Sequence, residues 1–172
     1  MIRVVVTGSE CTGKTTLASA LAEHFDTVWV PEFVRMFVEN KGAAPEFADV
    51  EAIARGQMAL EDQNASQASE LLIQDTDLLS TVIYSRHYYL DCPSWIDNEL
   101  RARAGDLYLL AGIDVPWVPD GDQRDRGDRR DEMQQLFRTA LVERGNRWVE
   151  VTGPPEQRLD TATAAIDDLI RS

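Results

Sequence analysis

The run Ile2-Arg3-Val4-Val5-Val6 passes through Thr7 into GSECTGKTT, Gly8 to Thr16, and then into LASALAEHF. The β-branched run closed by Thr-Gly reads as a short buried strand. After it, Leu17, Leu21 and Phe25 recur at helical spacing, with Ala18 and Ala22 beside them. Strand, glycine loop and helix in immediate succession restrict the chain to few folds, because the helix must pack back onto the strand that precedes it. The loop itself satisfies G-x-x-x-x-G-K-[ST] in full, and in the strand-to-helix setting which that motif requires.

The rest of the chain repeats the alternation. Strands are expected at Val28–Val30, Leu71–Gln74, Leu107–Leu110 and Trp148–Val151. Helices are expected at Phe33–Asn40, Val50–Ser69, from Leu78 to Arg86, at Ser94–Arg103, at Arg129–Arg144 and from Pro155 to Ile170. Five short apolar strands separated by helices imply an α/β domain with a five-stranded parallel sheet and helices on both faces. The 172 residues suit one domain with one core, spanning 1–172, without internal repeats. In such sheets ligands bind beyond the carboxyl ends of the strands. That rule gathers Gly8–Thr15, Glu32, Asp75, Ala111–Asp114 and Gly153 on one edge.

Bulk properties exclude several roles. The net charge of −13 opposes nucleic acid or an anionic membrane surface as partner, and would favour a cationic small molecule. No apolar run approaches the ~18 residues that span a bilayer, and the N-terminus has none of the sections of a secretory leader; a cytoplasmic location is expected. Cys11 and Cys92 fit no disulfide framework or metal pattern. His24 and His87 are expected at the surface or in packing.

The glycine loop specifies a nucleoside triphosphate. Gly8 and Gly13 permit positive φ, and successive N–H groups of Gly8, Ser9, Glu10, Cys11, Thr12, Gly13, Lys14, Thr15 and Thr16 can turn toward phosphate oxygens. The helix start near Lys14 adds its positive dipole end. Lys14 supplies a point charge to the β- and γ-phosphates, and Thr15 a hydroxyl for Mg²⁺. Asp75, at the end of LLIQ, occupies the position of a Mg²⁺-holding carboxylate, and can also cap the helix that follows. ATP or GTP with Mg²⁺ is thus expected.

Three uses of such a loop can be weighed. A guanine-reading switch needs N-K-x-D, whereas Asn40-Lys41-Gly42-Ala43 lacks the acid. An AAA-type motor needs a longer chain with a helical lid domain and arginine sensors. Transfer to a small molecule is favoured by two features. Glu32, just past the second strand in VPEFVR, can accept a proton from an attacking hydroxyl. DGDQRDRGDRR, Asp120–Arg130, offers arginines to a closing lid over about 120–131, with Arg124 foremost and Arg126 next. Lys14, Glu32, Asp75, Arg124 and Arg126 are therefore the candidate catalytic residues. A nucleotide-sensing regulatory ATPase remains the alternative from another class.

Taken together, VVVTGSECTGKTTLA, VPEFVR, QDTDLLSTVIYS and GIDVPWVPDGDQR resemble the ribosylnicotinamide kinase domain of NadR-type proteins, over Val4 to Arg130. The resemblance implies a P-loop kinase fold and transfer of the γ-phosphoryl group of MgATP to the 5′-hydroxyl of nicotinamide riboside, a step in NAD biosynthesis. It also implies that Glu32, Arg35, Asp77, Asp114, Trp117 and Asp120 meet the nucleoside, and that Gly153 and Pro154 lie against adenine. Trp117 would then stack on the cationic pyridinium ring, an attraction of ~0.5–2 kcal/mol. NadR-type proteins usually carry an adenylyltransferase domain ahead of the kinase, so the dinucleotide-forming reaction is expected to be absent here. A kinase of another nucleoside or small metabolite is the nearest alternative.

Overall fold

The structure, a computed structural model, describes residues 1–118 and 129–172. The expected lid residues Asp120, Arg124 and Arg126 lie outside the described residues. Five strands, β1 (Ile2–Thr7), β2 (Trp29–Val30), β3 (Leu71–Asp75), β4 (Leu107–Ala111) and β5 (Trp148–Val151), form one sheet in the order β2-β3-β1-β4-β5. Every neighbouring pair is parallel. Around it lie α1 (Lys14–His24), α2 (Phe33–Lys41), α3 (Val50–Ala65), α4 (Leu78–Tyr89), α5 (Ser94–Ala102), α6 (Arg130–Glu143) and α7 (Pro155–Arg171).

Continuous apolar strands serve two cores at once, because successive side chains point to opposite faces. Val4, Val6, Leu107, Leu109 and Ala111 join α1 and α7 on one face. Val5, Tyr108 and Leu110 join α3, α4, α5 and α6 on the other. The expected five-stranded parallel α/β architecture is the one observed.

Some boundaries move for local reasons. Asp75 is the last residue of β3 and not merely its neighbour. Helix α3 stops at Ala65, four residues before the expected end at Ser69. There the Asn64 side-chain amide donates to Leu60 O at 2.9 Å and Ser66 Oγ to Gln63 O at 2.6 Å. Such local bonds compete with the helical ladder and release the chain toward β3. Helix α6 starts one residue after its expected start at Arg129, and Arg130 and Asp131, which the expected lid over about 120–131 also included, form its first turn.

Candidate functional site

The crossing from β1 to α1 is built as its sequence requires. Gly8 has φ 129°, and a Cβ there would sit 3.0 Å from Ala111 O and 3.3 Å from Gln134 Oε1. Its need for glycine comes from the neighbouring strand as well as from backbone torsion. Gly13, at φ 79°, is the left-handed residue opening α1. Lys14 is buried at 7% exposure, and its Nζ donates to Ser9 O at 2.8 Å, as does Thr12 Oγ1 at 2.9 Å. The loop thus closes on itself with the lysine folded across it.

Three side chains hold this loop, and two of them, Gln134 and Arg158, carry no signal in the sequence. Gln134 of α6 accepts from Ser9 N at 3.3 Å and donates to Ala111 O at 2.9 Å. Arg130, expected in a lid, donates to Cys11 O at 3.2 Å, Ile113 O at 3.3 Å and Val115 O at 2.7 Å. Arg158 of α7, 4% exposed, donates to Gly153 O at 2.8 Å, Thr12 O at 2.7 Å and Gly112 O at 3.0 Å. It also pairs with Asp114 Oδ1 at 2.5 Å. An arginine buried in an otherwise amphipathic helix leaves no periodic signal; only its partners reveal it.

The D-T-D triplet is divided by its middle residue. Thr76 has φ 69°, unusual for a β-branched residue, and its N–H donates to Val6 O at 2.9 Å. Asp75 faces the loop, where Oδ2 accepts from Thr15 Oγ1 at 2.5 Å. Burial raises its pKa, and the charge of Glu32 adds to this, against the pull of Thr15 and Lys14. Asp75 Oδ1 is buried and meets no hydrogen-bond donor among the described residues. A hydroxyl beside one half-used carboxylate is a hard-oxygen set that fits Mg²⁺, which takes few protein ligands and completes its shell with phosphate and water.

Asp77 turns the other way. It is the residue that caps α4, with Oδ1 accepting from Leu79 N at 2.9 Å, while Oδ2 accepts from Tyr108 Oη at 2.7 Å. Burial pushes its pKa up to about 6 against both bonds. The cap expected as a second role of Asp75 belongs to Asp77. Both oxygens of Asp77 are engaged in the framework of the cleft that it lines.

That cleft, about 480 Å³, lies between the glycine loop and helices α2, α3 and α4. Gly8, Lys14, Glu32, Arg35 and Asp77 meet in its lining. Glu32 Oε2 accepts from Arg35 Nε at 3.0 Å, one helical turn away. Tyr84, Tyr88 and Tyr89 of α4 supply an aromatic wall, with the rings of Tyr84 and Tyr88 stacked at 6.0 Å and 9°. Trp117 does not line this cleft, and neither does Asp114. The Asp114 carboxylate accepts from Gly153 N at 2.6 Å as well as from Arg158, and the Gly153 bond first of all holds its pKa below the usual range. Asp114, expected to meet the nucleoside, thus ties together the loops after β4 and β5. Gly153, at φ 87°, and Pro154, which opens α7, stand beside that tie.

A family model described as an AAA domain, AAA_28, matches residues 3–158. The chain belongs to this family. Membership fixes the P-loop core and leaves the coupled activity open, since one such core serves many chemistries. The resemblance drawn from the sequence is borne out. The chain is 28% identical, over 98% of its length, to the trifunctional NAD biosynthesis/regulator protein NadR of Escherichia coli strain K12, and spans 42% of that protein. Its fold matches the crystal structure of a NadR protein in complex with NR, with TM-score 0.73 and 22% identity over 97% of this chain and 49% of the other. It also matches thymidylate kinase from Candida albicans, with TM-score 0.70 and 16% identity over 97% and 91%. The fold is that of the P-loop kinases. The chain spans less than half the length of the curated relatives it matches. Among the described residues, no helix is long and apolar enough to cross a membrane.

Proposed function

We propose that the chain is a kinase that transfers the γ-phosphoryl group of ATP to the 5′-hydroxyl of nicotinamide riboside, giving nicotinamide mononucleotide. The observation that carries this reading is that one cleft is lined by Lys14 of the phosphate loop, by Glu32 and by three tyrosines of α4. A phosphate grip that opens into an aromatic, acid-edged pocket suits a flat cationic nucleoside. A nucleotide sensor would have no use for that pocket. The NR named with the similar structure agrees with it.

In this reading Glu32 accepts the proton of the attacking hydroxyl, because Asp75 is tied to Thr15 and Asp77 is consumed by its cap. A loose phosphoryl-transfer transition state asks little of that base, and positioning does most of the work. Arg35 holds the Glu32 carboxylate in place. Lys14, released from Ser9 O, would draw on phosphate oxygens. Thr15 and Asp75 are the residues that would hold Mg²⁺, which when bound neutralises phosphate charge. Arg124 and Arg126 stay assigned to a closing lid, which ends before α6 begins at Arg130. Gly153 and Pro154 stay on the adenine side. A cytoplasmic setting with a small-molecule partner goes with this reading.

The test is ADP formation from MgATP with a panel of nucleosides. Nicotinamide riboside should raise ADP production far above background and be converted stoichiometrically. ADP formed equally with and without every nucleoside would refute transfer and favour the regulatory ATPase.

A further inference from the structure

Gln57 lies on α3, is 3% exposed and lines the cleft shared by Lys14 and Glu32. Its amide has a fixed orientation. Oε1 accepts from Phe33 N at 2.9 Å, and only the oxygen of an amide can take that N–H. Phe33 is the first residue of α2, directly after Glu32. The approach is made possible by Gly56, where a Cβ would fall 2.1 Å from the Phe33 ring. Such contact between α2 and α3 admits no larger residue. Nε2 therefore points away from Phe33 N, and it meets no acceptor among the described residues.

A buried amide donor without a partner costs the fold free energy unless a ligand or a water completes it. Its position beside the cleft, rather than beneath the sheet, decides what it can serve. We propose that Gln57 is a specificity-determining residue, whose Nε2 donates to a hydrogen-bond acceptor on the base of the nucleoside, a carbonyl or carboxylate oxygen. This rests on the nucleoside-kinase reading above. For a pyridinium nucleoside, the acceptor is the oxygen of the ring's carboxamide. The tyrosine wall recognises any flat ring, whereas Gln57 asks for an oxygen at its edge. The same amide orders the start of α2 through Phe33, so filling its second half also steadies the segment that presents Glu32.

The competing role is internal. Gln74 of β3 is 1% exposed, with both amide atoms lacking partners among the described residues. By the alternation of β3 it faces the α3 side. A water shared between the two amides would satisfy Gln57 without a ligand.

The experiment compares nicotinamide riboside with the same riboside lacking the carboxamide, in the wild type and in Gln57→Glu. The glutamate keeps an acceptor for Phe33 N but removes the donor. Loss of the carboxamide should lower wild-type kcat/KM about 10- to 100-fold, the loss expected when a buried donor is left unpaired. It should lower that of Gln57→Glu less than about 3-fold. The loss should fall on KM more than on kcat, which a purely structural role would not produce selectively for one substrate. Equal wild-type handling of the two ribosides overturns the proposal, whether or not the variant folds, and assigns Nε2 to internal water. An undiminished preference in Gln57→Glu also overturns it. A wild type that phosphorylates nicotinamide riboside while failing either comparison leaves the kinase reading standing. A wild type that phosphorylates no nucleoside overturns both.

Discussion

Replacing Arg158 with methionine keeps an apolar stem of similar length and removes a guanidinium that joins three loops. Its bonds go to Thr12 O of the phosphate loop, Gly112 O after β4, and Gly153 O after β5, with Asp114 as its charged partner. The Asp114 side chain is 43% exposed, so screening limits the ion pair itself to about 0–1 kcal/mol. The three carbonyl bonds are different, since a hydrogen bond to a charged group contributes about 1.5–3 kcal/mol and the acceptors lose their partner together. Because neighbouring losses are not additive, the total should be close to the cost of breaking a buried ionic contact, about 3–5 kcal/mol. For a domain of this size each kcal/mol moves the melting temperature by about 2–4 °C, so Arg158→Met should melt about 6–20 °C lower. Thermal unfolding followed by circular dichroism measures this. The loosened side is that of the phosphate loop, so KM for ATP should rise more than KM for the nucleoside. Asp114→Asn, which keeps an acceptor for Gly153 N, should cost much less. An Arg158→Met chain melting within 2 °C of the wild type would refute the buttress.

Asp75→Asn should raise the Mg²⁺ concentration for half-maximal turnover about 10- to 100-fold, read from initial rates across a magnesium titration; an unchanged requirement would remove Asp75 from the metal. Tyr84→Ala should raise KM for the nucleoside about 2- to 10-fold, the worth of one aromatic contact, while Trp117→Ala leaves it within 2-fold; the reverse order would restore the tryptophan as the stacking residue. Glu61, buried on α3 beside Arg103, has its pKa raised from 4.5 to about 7, first by burial and then by the charge of Asp77. The folded state thus holds that proton more tightly than the unfolded chain. The contribution is complete below pH 4.5 and is lost as pH rises to about 7, amounting to about 3 kcal/mol. Glu61→Gln should accordingly gain stability relative to wild type between pH 5 and 8 by denaturant unfolding, and a pH-independent difference would contradict the shift.

What the sequence displayed and what it concealed divide along physical lines. The strands were legible because each is a compact apolar run beside a turn signal, and the phosphate loop because its glycines and lysine are fixed by torsion and charge. Glu32 and Asp75 were legible as acids at strand ends. The division of labour between Asp75 and Asp77 was not, because it depends on the left-handed Thr76, a conformation that threonine does not advertise. Asp114 was read toward the nucleoside because its partners, Gly153 and Arg158, lie 39 and 44 residues further along. Trp117 stands out as a stacking ring by its chemistry, whereas the tyrosines of α4 do not, because aromatic residues at helical spacing look like core. Gln57 and Gln134 gave no signal at all, since an amide becomes informative only when its bonds can be counted.

The buttress of the phosphate loop has a consequence for the order in which the chain is made. The grip, Gly8 to Thr16, leaves the ribosome well before its supports, Arg130, Gln134 and Arg158, which lie 119, 125 and 146 residues beyond the loop residues they hold. A nascent chain therefore carries its nucleotide motif long before it can hold that motif in shape, and the grip waits on α7. Nucleotide competence should follow the synthesis of α7, so that a product stalled or clipped before Arg158 would carry the motif without its frame.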